Sequence, residues 1–210
     1  LQEIRAQGFP DYAISPAGDR DFYTSIVFLE PFSGRNLRAF GYDMYAEPIR
    51  RAAMDRARDT DSAALSGKVR LVQETHADVQ AGTLMYVPVY KKGLPDATVD
   101  QRRAALLGWV YSPCRMKDWM HGVLGGYAVV QDPLFHLEIY DGDQVEPDNL
   151  LFAMRPLSRS DASSPARFMR ELPIDFNGQK WTVRCAQAWP AGFPLVYLRA
   201  WLTLAGCLLV

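Results

Sequence analysis

"GYDMYAEPIRRAAMDRARDT", residues 41–60, joins two unlike pieces. The first places one carboxylate, Asp43, among Gly, Tyr and Met. The second opens at Pro48, which suits the first position of a helix because its ring presets φ and the amide it lacks would be unpaired there. Glu47 stands just ahead, where a negative charge meets the positive end of the helix dipole. Ile49, Ala52, Ala53, Arg56 and Ala57 recur at helical spacing, so the helix should bury a face of small side chains against a sheet. Arg50, Arg51, Asp55, Arg58 and Asp59 read as its solvated face. Asp43 then either satisfies backbone amides or faces a ligand, since a carboxylate among apolar groups needs a partner to offset its desolvation.

On the N-terminal side, "YTSIVFLEP" (23–31) reads as a strand stopped by Pro31, and "SGRNLRAFG" (33–41) as a short helix or turn with Ser33 as a candidate cap. Beyond the helix, "GKVRLVQET" (67–75) and "GTLMYVPVY" (82–90) read as strands. Pro88 demands an edge position or a bulge in the second of them. A short helix at 99–104 precedes a strand in "RAALLGWVYSP" (103–113). "CRMKDWMHGVLGG" (114–126) is amphipathic, with Met116, Trp119, Met120, Val123 and Leu124 on one face and a glycine stop. Four more strand-like runs follow, with "DGD" and "FNGQ" as hairpin-type turns. Helices beside antiparallel strands give an α+β class.

The 210 residues suffice for one large or two small domains. With 23 basic and 24 acidic residues the net charge is −1, which gives no electrostatic reason to expect nucleic acid. "LQEIRAQGF" reads as the last turns of a helix ending at Gly8. "FPLVYLRAWLTLAGCLLV" (193–210) ends apolar and reads as the start of a transmembrane helix. Cys114, Cys185 and Cys207 lack CxxC spacing. Cys114 and Cys185 are either a disulfide or two thiols. His121 and His136 have no metal-ligand spacing, and no phosphate loop, dinucleotide fingerprint or nucleophile elbow occurs, so neither a cofactor nor a metal is expected. A hydrolase would need a Ser or Cys beside His76 or His121.

The stretches "GYDMYAEPIRRAAMDRARDTDSAALSGKVRLVQE", "LMYVPVY" and "RRAALLGWVYSPCRMKDWM", in that order, resemble the CHASE domain, the extracytoplasmic sensor of plant cytokinin receptors and many bacterial signalling proteins. The resemblance is carried by about Phe9 to Gly125. It implies tandem PAS-like domains: a stalk helix end at 1–8, a membrane-distal ligand-binding domain at 9–112, a linker helix at 113–126, a membrane-proximal domain at 127–192 and a membrane helix from 193. It implies a ligand held by Asp43 and by the backbone near Leu65, with Met44, Leu71, Met85, Tyr86, Val87 and Gly108 lining the pocket. It further implies no chemistry in this segment, a homodimer, and a cytoplasmic output enzyme, commonly a histidine kinase and elsewhere a diguanylate cyclase. Tyr86 falls where the plant receptors carry a small polar residue, and "ADVQAG" (77–82) is additional. A cytokinin-like adenine derivative is therefore less favoured than another small molecule. The competing expectation is a module that binds a protein partner.

Overall fold

The computed structural model describes residues 1–155 and 168–187. Helix α1 is Gln2–Ala6, and Gly8 follows it in the left-handed region at φ 102°. Helix α2 is Pro48–Thr60, with Pro48 in its first turn and Glu47 as the cap, accepting from the amides of Ile49 and Arg50. A short strand β1 (Ala64–Leu65) and two long ones, β2 (Gly82–Tyr90) and β3 (Leu106–Arg115), form an antiparallel sheet in the order β1-β2-β3. Helix α3 (Val99–Ala105) opens with a capping box between Thr98 and Gln101 and runs directly into β3. The fold is α+β, with antiparallel sheets flanked by helices.

Pro88 obeys both constraints read from the sequence. β1 covers β2 only at Met85 and Tyr86, so β2 has an open edge at Pro88, and its register with β3 shifts between Val89 and Tyr90. Helix α4 (Met116–Leu124) starts where β3 ends, two residues later than the sequence reading placed it. Met116 and Met120 are buried and Trp119 and Leu124 pack beside them, but Val123 is exposed. The second sheet contains β4 (Phe135–Asp141), β5 (Leu150–Met154), β6 (Phe168–Phe176) and β7 (Gln179–Gln187) in the order β5-β4-β7-β6. Asn177 and Gly178, both at positive φ, make the tight β6–β7 turn, as "FNGQ" predicts. "DGD" instead opens a longer connection, with a 3₁₀ turn at Pro147–Asn149.

Two expected strands are absent from the sheets. Residues 23–31 are extended but make only one bridge, Ser25 to Asp43. Their hydrogen bonds go to the neighbouring loop: the Ile26 amide donates to the Tyr42 carbonyl at 3.0 Å, and the Gly41 amide returns one to Ile26 at 3.0 Å. Residues 67–75 keep a reciprocal pair between Val69 and Gly82. The ladder breaks at Lys68, whose amide donates at 2.7 Å to Asp141 of β4 rather than to β2. Gly67 permits that approach, since a Cβ there would stand 2.9 Å from Asp141 Oδ2.

Two apolar clusters meet on either side of β2. One holds Ala53, Met54 and Ala57 of α2 against Leu84 and Tyr86. The other holds Met116 and Met120 of α4 against Ile139, Leu151 and Trp181, and it draws in Leu65 and Met85 from the first sheet. Strand alternation explains the division, because Tyr86 and Met85 point to opposite faces. Arg50 corrects the reading of α2. It is 3% exposed, because the buried stripe is Arg50, Ala53, Met54 and Ala57, rotated one residue from the predicted stripe. Ile49 is exposed instead. Cys114 and Cys185 are free thiols. Among the described residues no helix is long and apolar enough to cross a membrane, and the span expected from 193 and Cys207 both lie outside them.

Candidate functional site

A cleft of about 680 Å³ runs along the outer edge of β3. Residues 106–111 form one wall and residues 22–30 the other, over a floor of Met44, Met54 and Tyr86. The size suits a small organic ligand. The floor is rigid on the α2 side, where Trp109 Nε1 donates to the Met54 carbonyl at 3.0 Å. The Tyr86 and Tyr111 rings lie 6.0 Å apart across the β2–β3 pair. Burial first of all raises both phenols above their ordinary value, Tyr111 to about 12, so both are neutral donors at neutral pH.

The facing wall is held by Asp43. This side chain is wholly buried. Its Oδ1 accepts from the Thr24 amide at 3.0 Å, the Thr24 hydroxyl at 2.8 Å and the Tyr45 amide at 3.3 Å. Its Oδ2 accepts from Arg20 Nε at 2.8 Å. Asp43 therefore caps the 3₁₀ turn Met44–Ala46, not α2, and its charge is met by Arg20. Arg20 and Thr24 lie too far upstream for local spacing to identify them as its partners. Tyr12 adds a second brace, donating through its hydroxyl to the Ile26 carbonyl at 3.2 Å.

The residues expected to line one pocket are distributed over several places. Met44, Tyr86 and Gly108 line the cleft. Asp43 stands behind the wall. Leu71 is buried behind the floor, with Met44 and Leu84. Leu65 and Met85 face the second sheet, and Asn177 Nδ2 donates to Met85 Sδ at 3.2 Å. The Leu65 backbone is engaged within the chain: its carbonyl accepts from Arg56 Nη2 at 2.6 Å and its amide donates to the Asn177 carbonyl at 3.0 Å. Val87 is exposed, opposite Val110. Thr24, Ile26, Trp109 and Tyr111 line the cleft without having been singled out in the sequence. The strand-like pattern of 23–31 was the signal for the first two.

Other potentially reactive side chains have structural surroundings. His136 Nδ1 is 2.8 Å from the Arg155 carbonyl, and His121 meets the Phe152 ring edge-on at 5.9 Å. Among the described residues no group of His, Cys, Asp and Glu is placed to hold a metal ion.

The sequence model of the CHASE domain matches residues 1–152, a span that contains every wall and floor residue of the cleft. The chain belongs to the CHASE domain family. CHASE domains are sensory and non-catalytic parts of signalling receptors, and they bind small ligands outside the cytoplasm. For this CHASE domain the match supplies the class of function. The match extends through β4 and into β5, so it includes the contacts by which the first sheet meets the second.

Proposed function

We propose that this CHASE domain senses a small organic molecule held in the cleft between residues 22–30 and β3, and that Met44, Tyr86 and Gly108 contact it. The single observation that carries the reading is the placement of Met44 and Tyr86 side by side on the cleft floor, with Tyr86 only 1% exposed. Asp43 acts one step back, by fixing the wall that carries Thr24. The two sheets correspond to a membrane-distal and a membrane-proximal PAS-like unit, joined by α4. The domain is extracytoplasmic, works as a homodimer and reports through a membrane helix to a cytoplasmic histidine kinase. A diguanylate cyclase is the alternative output.

β2 supports a physical route for the signal. Tyr86 faces the cleft, while its neighbour Met85 packs in the cluster that contains Trp119 and Trp181. A ligand that prefers one position of β2 biases the second sheet by its differential affinity for the two arrangements. A protein-partner reading is favoured by one feature, the exposed apolar rim of Phe28 (88%), Leu107 (66%) and Val110 (64%).

The test is a thermal-shift screen of small organic acids, amino acids and adenine derivatives on the protein and on Gly108→Ile. A ligand at about 100 times its dissociation constant adds about 2.7 kcal/mol. A compound that stabilises the protein but not Gly108→Ile supports the cleft. Equal stabilisation of both moves the site elsewhere.

A further inference from the structure

Behind the cleft floor lies a buried cation with an unused donor. Arg50 Nη2 donates to the Arg70 carbonyl at 2.8 Å, and Nη1 rests on Met44 Sδ at 3.5 Å, a weak acceptor. Nε is buried without a hydrogen-bond partner. A Glu47 oxygen stands 3.8 Å from it, but that oxygen already accepts from the Arg50 amide at 3.0 Å. The Tyr111 hydroxyl is also buried without a partner. Arg50 and Tyr111 border one narrow void with Ile26, Met44 and Leu71, too small to admit water. Two donors left unmade in one place are costly unless something else occupies them.

Ile26, Met44 and Tyr111 line both this void and the cleft. Met44 is thus the partition between the two, and an unbranched thioether is the side chain that repacks most easily. Tyr86 donates only to the same sulfur, at 3.9 Å. On the far side Arg38, Lys68 and Arg70 line a groove that also reaches Arg50, alongside Glu47 and Glu74. Glu74 is engaged by Arg115 at 2.7 Å, so the surroundings are net positive.

Resting on the cleft reading, we infer that the ligand is an organic acid whose carboxylate takes the place of Met44 Sδ on the Arg50 guanidinium and accepts from that guanidinium and from the Tyr111 hydroxyl. The apolar body of the ligand stays in the cleft against Tyr86 and Trp109. A charge-assisted pair in this setting gives both orientation and discrimination against the uncharged analogue.

The experiment measures thermal shifts of the full chain with matched pairs: benzoate and benzamide, phenylacetate and phenylacetamide, hexanoate and hexanamide. At least one acid should stabilise saturably while its amide does not. Tyr111→Phe, which loses only an unpaired hydroxyl, should fold normally and weaken that acid by about ten-fold. Arg50→Lys, which keeps the charge, should weaken it as well. Amides that bind as well as their acids, or inorganic phosphate giving the same shift at equal ionic strength, overturn the carboxylate subsite. If Gly108→Ile still abolishes amide binding, the cleft itself stands. Failure of every acid overturns the subsite too, and the broader screen with Gly108→Ile then decides the cleft separately.

Discussion

Arg20 donates its Nε to Asp43 Oδ2 at 2.8 Å, across 23 residues of chain. This pair, with Thr24 on the other carboxylate oxygen, fixes one wall of the cleft to the turn that carries Met44 on its floor. Asp43→Ala should therefore cost about 2 kcal/mol, combining a lost cap with a charged partner left behind. The amides of Thr24 and Ile26 should exchange faster with solvent, because Asp43 and Tyr42 are their partners. Urea midpoints and hydrogen exchange check this. A loss under about 0.5 kcal/mol would remove Asp43 as the organiser of the wall.

Gly108 lies in β3, and a Cβ built there meets nothing within 4 Å. Gly108→Ile should leave stability unchanged or raise it by up to about 1 kcal/mol, since glycine weakens a strand interior and β-branched residues favour it. Gly108 lines the cleft, so a bulky side chain there should narrow it and binding should fall while the melting temperature holds. A variant that melts well below the parent would show that the space beside Gly108 is needed for folding.

Asp59 receives Arg103 Nη2 at 2.6 Å and Arg58 Nε at 2.7 Å, tying α2 to α3. Hydrogen bonds from Arg103 and then Arg58 hold its carboxyl well below its ordinary value of 3.8. A depressed carboxyl contributes stability that is complete above the unfolded value and is lost as pH falls toward the folded one. The melting-temperature gap between the protein and Asp59→Asn should thus shrink from about pH 5 to about pH 2. A gap that stays constant across that range would contradict it.

Arg115 ends β3 and holds Glu74 at 2.7 Å and Asp78 at 3.0 Å, with Asp118 of α4 on its third nitrogen. Glu74 has a side chain only 1% exposed. Arg115→Met should cost about 3 kcal/mol, because it strands a buried carboxylate. Glu74→Gln combined with it should recover part of the loss, read by chemical denaturation. No recovery would place the cost in the exposed contacts to Asp78 and Asp118.

What the sequence revealed was local chemistry. Pro48 and Glu47 marked the start of α2, Asn177-Gly178 marked a tight turn, and "GTLMYVPVY" marked β2 with its irregularity at Pro88. Residues 23–31 and 67–75 carry strand composition, yet β propensity does not say which partner a backbone will take. Tyr42 and Asp141 took those hydrogen bonds. The buried stripe of α2 was missed by one residue because the Ile49 and Arg50 stripes differ by a single step of rotation. Only the sheet against the helix decides between them. Alternation along β2 separated Tyr86 from Met85, so residues adjacent in sequence serve the cleft and the second sheet respectively.

The most direct test is a crystal structure of the protein with the compound that stabilises it most. The account predicts ligand density between residues 22–30 and β3, against Tyr86 and Met44. Density in the groove lined by Lys68, Arg70 and Leu151, or at the second sheet with this cleft empty, would contradict it.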